Sequence, residues 1–349
     1  MCARLHPYSP LLMTGMLSPN TEPSAAVAFT KAPTPSATTT RLSLEPMDPF
    51  ITSIQPGGGA CMRLELAWGH MRRWYLKTFR PGYVARMTKL RRGDKNACPF
   101  EVLDPRDVKF YRNQGGYYWE PQDDPFAWRD CLGFARVGLT ELWMIAGACF
   151  ALGAVLGWLF WPLAPVPVVL GLCIVWFFRN PRRQIPREAG LVVSPADGKV
   201  VHIEVIEFDE FIGGPALLIG IFLSVFNVHI NRAPVAARVI GLSYRRGKFL
   251  NALRPESARE NEQLTVRLEE NATHRRMIVR QIAGAIARRI VCWVKPGDDL
   301  AAGEQFGMIK LGSRTELVVP REPNLHIAVQ LGQLVKAGES ILARYENDG

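Results

Sequence analysis

Gly312-Ser313, within the run GMIKLGSRTELVVP (307–320), is one place where this sequence offers a reactive group. Half-apolar, strand-like runs flank it on both sides, so the dipeptide marks a break between two strands. It reads either as an ordinary bend, since glycine and serine are common in turns, or as a serine hydroxyl held at a sharp stretch of backbone. No Gly-x-Ser-x-Gly or Ser-x-x-Lys pattern supports a hydrolase-type nucleophile. His229, in FLSVFNVHINRAP, lies in an apolar run beside Asn227, Asn231 and Arg232. Polar groups around one imidazole suit general acid–base work, and a satisfied structural histidine is the plainer alternative. Asp197, in SPADGKVV, offers a carboxylate, although Asp-Gly is also a hairpin-turn signal. His202, His274 and His326 show no His-x-Glu-x-x-His or related spacing and are read as non-ligands, so no metal site is expected.

The bulk numbers narrow the setting. The 349 residues carry 42 Lys and Arg against 32 Asp and Glu, a net charge of +10 that calls for an anionic partner. Basic–aromatic nucleic-acid motifs are absent and a long apolar block is present, so the expected partner is a membrane surface and not a nucleic acid. Seven scattered cysteines without a Cys-x-x-Cys predict free thiols in a reducing compartment.

Four regions must position these groups. Residues 1–60, rich in Ser, Thr, Pro and Ala, are expected to be a disordered extension, with Met47, Met62 and Met71 as alternative starts. Residues 61–135 form a basic aromatic arm and linker, where MRRWYLKTFRPGYVARMTKLRRG suits an anionic lipid interface or a solvated basic helix. Residues 136–180 hold a hydrophobic block, LTELWMIAGACFALGAVLGWLFW, a PLAP break and VPVVLGLCIVWFF. The first run is long enough to cross a bilayer core of ~30 Å and the second is short for it. Basic residues at both ends predict a membrane-anchoring hairpin with both ends cytoplasmic. Residues 181–349 read as mainly β, a barrel- or sandwich-like domain. WVKPGDDLAAGE (293–304) and LVKAGESILAR (334–344) echo one another there as strand–turn repeats, and PESARENEQ reads as a polar loop.

VVSPADGKV, FLSVFNVHINRAP, VKPGDDLAAGEQFGMIKLGSRTELVVP and FFRNPRRQIP after the hairpin occur in one order over about 140–349. In that combination the chain resembles phosphatidylserine decarboxylase in its short, proteobacterial- and archaeal-like form. The resemblance implies self-cleavage between Gly312 and Ser313: the Ser313 hydroxyl attacks the Gly312 carbonyl, β-elimination releases the upstream chain, and Ser313 becomes an N-terminal pyruvoyl cofactor. It also implies a β chain ending at Gly312, an α chain of residues 313–349, and decarboxylation of phosphatidylserine to phosphatidylethanolamine through a Schiff base. On that reading His229 is the proton donor, Asp197 activates or orients groups during self-cleavage, and Arg232 or Arg314 binds substrate phosphate or carboxylate.

The long bacterial form carries Leu-Gly-Ser-Thr where this chain has Leu-Gly-Ser-Arg, and a second histidine where this chain has Arg232. Either His229 then serves both steps or Asp197 acts as base. Two rivals differ in class: a non-enzymatic biotinyl- or lipoyl-like binding module, and a pyruvoyl enzyme for a soluble amino acid. The expected location is the cell membrane with the catalytic domain on the cytoplasmic side, and homo-oligomer formation is left open.

Overall fold

The structure is a computed structural model that describes residues 41–93, 117–251, 256–285, 289–310 and 313–346. Gly312 and residues 1–40 lie outside the described residues, as do Cys2 and Cys98. Contacts divide the chain after Arg41, and the unit Leu42–Gly349 is the one described below.

The β-branched runs of the C-terminal half form strands β1 (Leu191–Val193), β2 (Gly198–Asp209), β3 (Gly214–Leu223), β4 (Ile230–Arg232), β5 (Ala237–Arg245), β6 (Gln263–Glu270) and β7 (Arg276–Ala283). The series continues with β8 (Arg289–Cys292), β9 (Asp299–Leu300), β10 (Gln305–Lys310), β11 (Ser313–Pro320), β12 (Leu325–Ile327), β13 (Leu334–Val335) and β14 (Ile341–Tyr345). An eight-stranded sheet runs β9-β5-β6-β7-β11-β3-β2-β13, flanked by three-stranded sheets β8-β10-β4 and β12-β14-β1. The fold is mainly β, as the sequence predicts, and every named pair is antiparallel.

Strand β11 sits inside the large sheet, paired with β3 on one edge and β7 on the other. Because side chains alternate between faces, Leu317 and Val319 join the main core with Leu217, Ile219, Ile221 and Val279. Val318 packs on the other face with Ala216, Leu218 and Ile278. The echoed segments fold alike: Gly297 and Gly338 both take positive φ, and Asp298 and Glu339 each donate a backbone hydrogen bond back to the Lys three residues earlier.

Ahead of the sheets come α1 (Ala60–Phe79), α2 (Pro81–Leu90) and the apolar hairpin. Its first arm, α3 (Arg136–Leu159), is long and apolar enough to cross a membrane. Its second arm, α4 (Pro165–Phe177), is shorter. The arms touch closely at glycines: a Cβ on Gly153 would stand 2.6 Å from Val168 and one on Gly171 2.7 Å from Phe150. At the hairpin base, Leu139, Leu142, Ala146, Phe177 and Phe178 form a second core with Ile54, Val228, Ile230, Val291 and Met308.

Two expectations change here. Residues 42–58 are not unstructured; they form an extended strap along the sheet. Glu45 donates its amide to Ile240 O at 2.9 Å, Asp48 accepts from the Tyr244 amide at 2.7 Å, and Glu45 pairs with Arg267 at 2.6 Å. Ile51 and Ile54 are each only 1% exposed. A few anchors in a Pro- and Gly-rich stretch suffice because the sheet supplies their partners. Cys131 is disulfide-bonded, whereas Cys61, Cys149, Cys173 and Cys292 are free thiols as expected. Scattered cysteine spacing carries no information on which pair meets in space.

Ile51→Ala and Ile54→Ala should each cost about 2–5 kcal/mol in denaturant unfolding. A chain beginning at Met62 should melt well below the full-length protein; an unchanged midpoint would remove the strap from the core.

Candidate active site

Ser313 opens β11, with Leu223 of β3 and Ala283 of β7 as its register partners. Its side chain is fully buried, and its Oγ has no hydrogen-bond partner among the described residues. A buried, unsatisfied hydroxyl costs about 1–3 kcal/mol, so its retention calls for a chemical reason. Alternation puts Thr315 on the same face, and there the apolar core gives way to a polar chain. Asn231 Nδ2 donates to Thr315 Oγ1 at 3.0 Å and to Pro195 O at 3.3 Å, while Gln281 Nε2 donates to Asn231 Oδ1 at 2.9 Å. Thr315, Asn231 and Gln281 are all fully buried.

His229 reaches the same end of the sheet by a different route. From Leu223, the register partner of Ser313, the chain turns through a loop held by Asn227, whose Oδ1 accepts from Ser224 N at 2.8 Å and Ser224 Oγ at 2.7 Å. His229 follows, and its carbonyl accepts from Ile309 N at 3.0 Å, just upstream of Ser313. The imidazole is fully buried, with Nδ1 2.9 Å from Asn227 O, so Nδ1 carries the hydrogen and donates. Phe177, at the end of α4, packs on the ring with centroids 4.6 Å apart. Burial lowers the His229 pKa from 6.5 to about 4, against the Asn227 carbonyl and with the help of the Arg179 charge. At neutral pH this histidine is a neutral imidazole, and its Nε2 is the basic nitrogen.

Asp197 lies in the bend between β1 and β2. The turn expected of Asp-Gly is present, but it connects strands of different sheets and is no hairpin. Gly198 is required there, since a Cβ would stand 2.1 Å from Phe222 O. The carboxylate is held by Arg183 NH2, 3.0 Å from Oδ1 and 2.8 Å from Oδ2, and by the Ala337 amide at 2.8 Å. Arg183 also lies 3.5 Å from Glu339. The Pro195 carbonyl, two residues before Asp197, receives the Arg232 amide at 3.0 Å as well as Asn231 Nδ2. The Asp197 bend is thereby tied through Asn231 to Thr315, two residues from Ser313.

The two arginines separate. Arg232 is mostly buried on the Asp197 side and donates from NH1 to Gly303 O at 2.9 Å. Arg314 points to the opposite face of β11 from Ser313 and pairs with Glu316 at 2.9 Å, lining a cleft of about 790 Å³ with His202, Glu204 and Arg280. Neighbouring residues of a strand face opposite ways, so Arg314 and Ser313 present their side chains to different faces of the sheet. Arg183 lies within the FFRNPRRQIP motif directly after the hairpin, and it is the structure that singles it out as the partner of Asp197.

The end of the sheet where β11 begins thus gathers a buried hydroxyl without a partner, a neutral buried imidazole and a compensated carboxylate. The family model for phosphatidylserine decarboxylase matches residues 170–343. A phosphatidylserine decarboxylase proenzyme of Rhodopirellula baltica is 53% identical over 240 residues, covering 68% of this chain and 99% of the relative. Proenzymes of the same name from Symbiobacterium thermophilum and Syntrophus aciditrophicus are 45% identical over 204 residues and 43% over 183, covering 58% and 52% of this chain and 94% and 84% of the relatives. The chain belongs to the phosphatidylserine decarboxylase family.

The unfolded chain protonates His229 near pH 6.5 and the folded chain only near 4. Its stability contribution is therefore fully present above pH 6.5 and is lost as pH falls toward 4, by up to about 3 kcal/mol. Denaturant titrations at pH 7 and 4.5 should show this loss in the native sequence and a smaller one in His229→Gln.

Proposed function

We propose that the chain decarboxylates phosphatidylserine to phosphatidylethanolamine after cutting itself between Gly312 and Ser313. The observation that carries this reading is the buried, partnerless Ser313 hydroxyl at the start of a strand fixed on both edges. Such fixation holds a nucleophile close to one peptide bond, where effective concentration replaces collision. Ser313 Oγ attacks the Gly312 carbonyl, a C–O ester bond forms, and the C–N bond breaks. The hydroxyl proton passes by way of neutral His229 to the departing amine. Removal of the Ser313 Cα proton then breaks the Cβ–Oγ bond, releasing the β chain with a Gly312 carboxylate. Water displaces ammonia from the new terminus of the α chain, leaving a pyruvoyl group at residue 313.

That group supplies a carbonyl to engage the substrate amine and draw electrons from the carbon that loses CO2. His229, Asn227 and Phe177 form a dry wall beside it, and a proton taken up by His229 is available for the carbon left after CO2 departs. With its charge met by Arg183, Asp197 orients the Pro195–Asn231–Thr315 chain and is not the base. Arg232, which donates to a backbone carbonyl and forms no ion pair among the described residues, is the cation on this side suited to the phosphate or carboxylate of the headgroup.

The lipid reaches this site from the membrane surface. With its base packed on the catalytic domain, the outward part of the hairpin is Gly147–Leu159 and residues 165–173 of the second arm, neither more than about 20 Å long. That is short of the ~30 Å bilayer core, so the hairpin enters and leaves on one side, the cytoplasmic one by its basic flanks. Helix α1 adds a second contact. Leu64, Trp68, Met71, Tyr75 and Phe79 recur at helical spacing and are all exposed, with Arg63, Arg73 and Lys77 beside them.

Purified chain should release CO2 from phosphatidylserine dispersions and not from free serine. Ser313→Ala should be inactive, and His229→Ala should slow self-cleavage at least 10²-fold. Equal turnover of free serine would instead make this an enzyme for a soluble amino acid. In vesicle flotation, Trp68→Ser with Tyr75→Ser should weaken binding to anionic vesicles about tenfold, and salt should weaken the native chain. Equal binding to neutral vesicles would remove the electrostatic component.

A further inference from the structure

Self-cleavage requires the peptide bond to be fixed from both sides, and the upstream side has its own device. Lys310, the last residue of β10, is two residues before Gly312. Its ammonium does not reach solvent with the other basic residues. It forms an ion pair with Glu141 in the first turns of α3, the two side chains only 10% and 11% exposed. Nζ also donates to Gln55 Oε1 of the strap at 3.1 Å. Gln55 is anchored in turn within its own bend: its backbone amide donates to Ser53 Oγ at 3.2 Å and its side-chain NH2 donates to Gly58 O. Three segments remote in sequence, the strap, the hairpin and β10, thus converge on one charged group beside the cleavage site. Ile54, Val137 and Val291 close the space around it.

A buried ion pair is a poor choice for stability alone, because an apolar pair of similar size does as well or better. The pair does fix direction: an ammonium held by a carboxylate and an amide oxygen defines one position for the end of β10, where a sliding apolar contact would not. Downstream, Ser313 is held by Leu223 and Ala283. Only Leu311 and Gly312 lie between these two anchors. We infer that Glu141, Lys310 and Gln55 are positioning residues for self-cleavage, clamping the chain so that the Gly312 carbonyl is presented to Ser313 Oγ. The inference rests on the self-cleavage reading above. It also makes cleavage conditional on the seating of the strap and the membrane hairpin, so that the chain matures only once its anchor is assembled.

The test compares cleavage rate with stability in the full chain, synthesised in detergent and followed by intact mass over time. Glu141→Leu with Lys310→Met replaces the ion pair by an apolar one. The clamp predicts a thermal midpoint at or above that of the native chain together with cleavage at least tenfold slower, whereas Lys310→Arg should cut within a few-fold of the native rate. A folded double variant that cuts at the native rate would overturn the proposal. Should that variant not fold, Gln55→Met, which leaves the ion pair in place, decides: cleavage threefold or more slower supports the clamp and the native rate refutes it. A native chain that stays whole overturns the self-cleavage reading itself, and the clamp falls with it.

Discussion

The pairing of β11 with strands on both edges is the constraint on which the site depends. It holds Ser313 between Leu223 and Ala283 and fixes which face each following residue takes. On the inner face the order is Ser313, Thr315, Leu317, Val319, so one strand begins as chemistry and ends as core. The hydroxyl stays without a partner because neighbouring polar groups are committed elsewhere. Asn231 bonds Thr315 and Pro195, and Gln281 bonds Asn231. These bonds engage Asn231, Thr315 and the Gln281 amide NH2 with one another and leave out the serine, so its hydroxyl stays uncommitted.

The apolar hairpin meets the catalytic domain through side chains that matter to the chemistry. Phe177 covers the His229 ring, excludes water and so favours the neutral imidazole. Arg179, just after α4, donates to Phe226 O at 2.7 Å and stacks on Trp176 at 4.1 Å, fastening the loop that carries His229 to the hairpin base. Glu141 meets Lys310 from the other arm. The apolar hairpin and the residues around Ser313 are parts of one packed body, an arrangement that suits the lipid substrate proposed above.

Much of this was legible in the sequence, for reasons particular residues make clear. Alternation on both sides of Gly312-Ser313 marked the strands, and the apolar runs around PLAP marked the hairpin. The two Lys-x-Gly-acid turns announced their own geometry. The same alternation rule also argues against placing Arg314 beside Ser313. Other features depend on partners far away in sequence. The low pKa of His229 needs burial under Phe177, the Asp197 carboxylate needs Arg183, and Glu141 and Lys310 show no common spacing at all. The strap is not legible in the sequence because its local composition favours disorder, while its partners, such as Tyr244 and Arg267, lie about 200 residues further on.

The account stands or falls on the bond between Gly312 and Ser313, which a denaturing intact-mass spectrum of the full chain reads directly. The account predicts two chains, the smaller being residues 313–349 without a free α-amine and lighter by one ammonia than the same residues beginning in serine, with Ser313→Ala remaining whole. A single uncut mass from folded, native-sequence protein would contradict it, leaving Gly312-Ser313 as a turn between two strands.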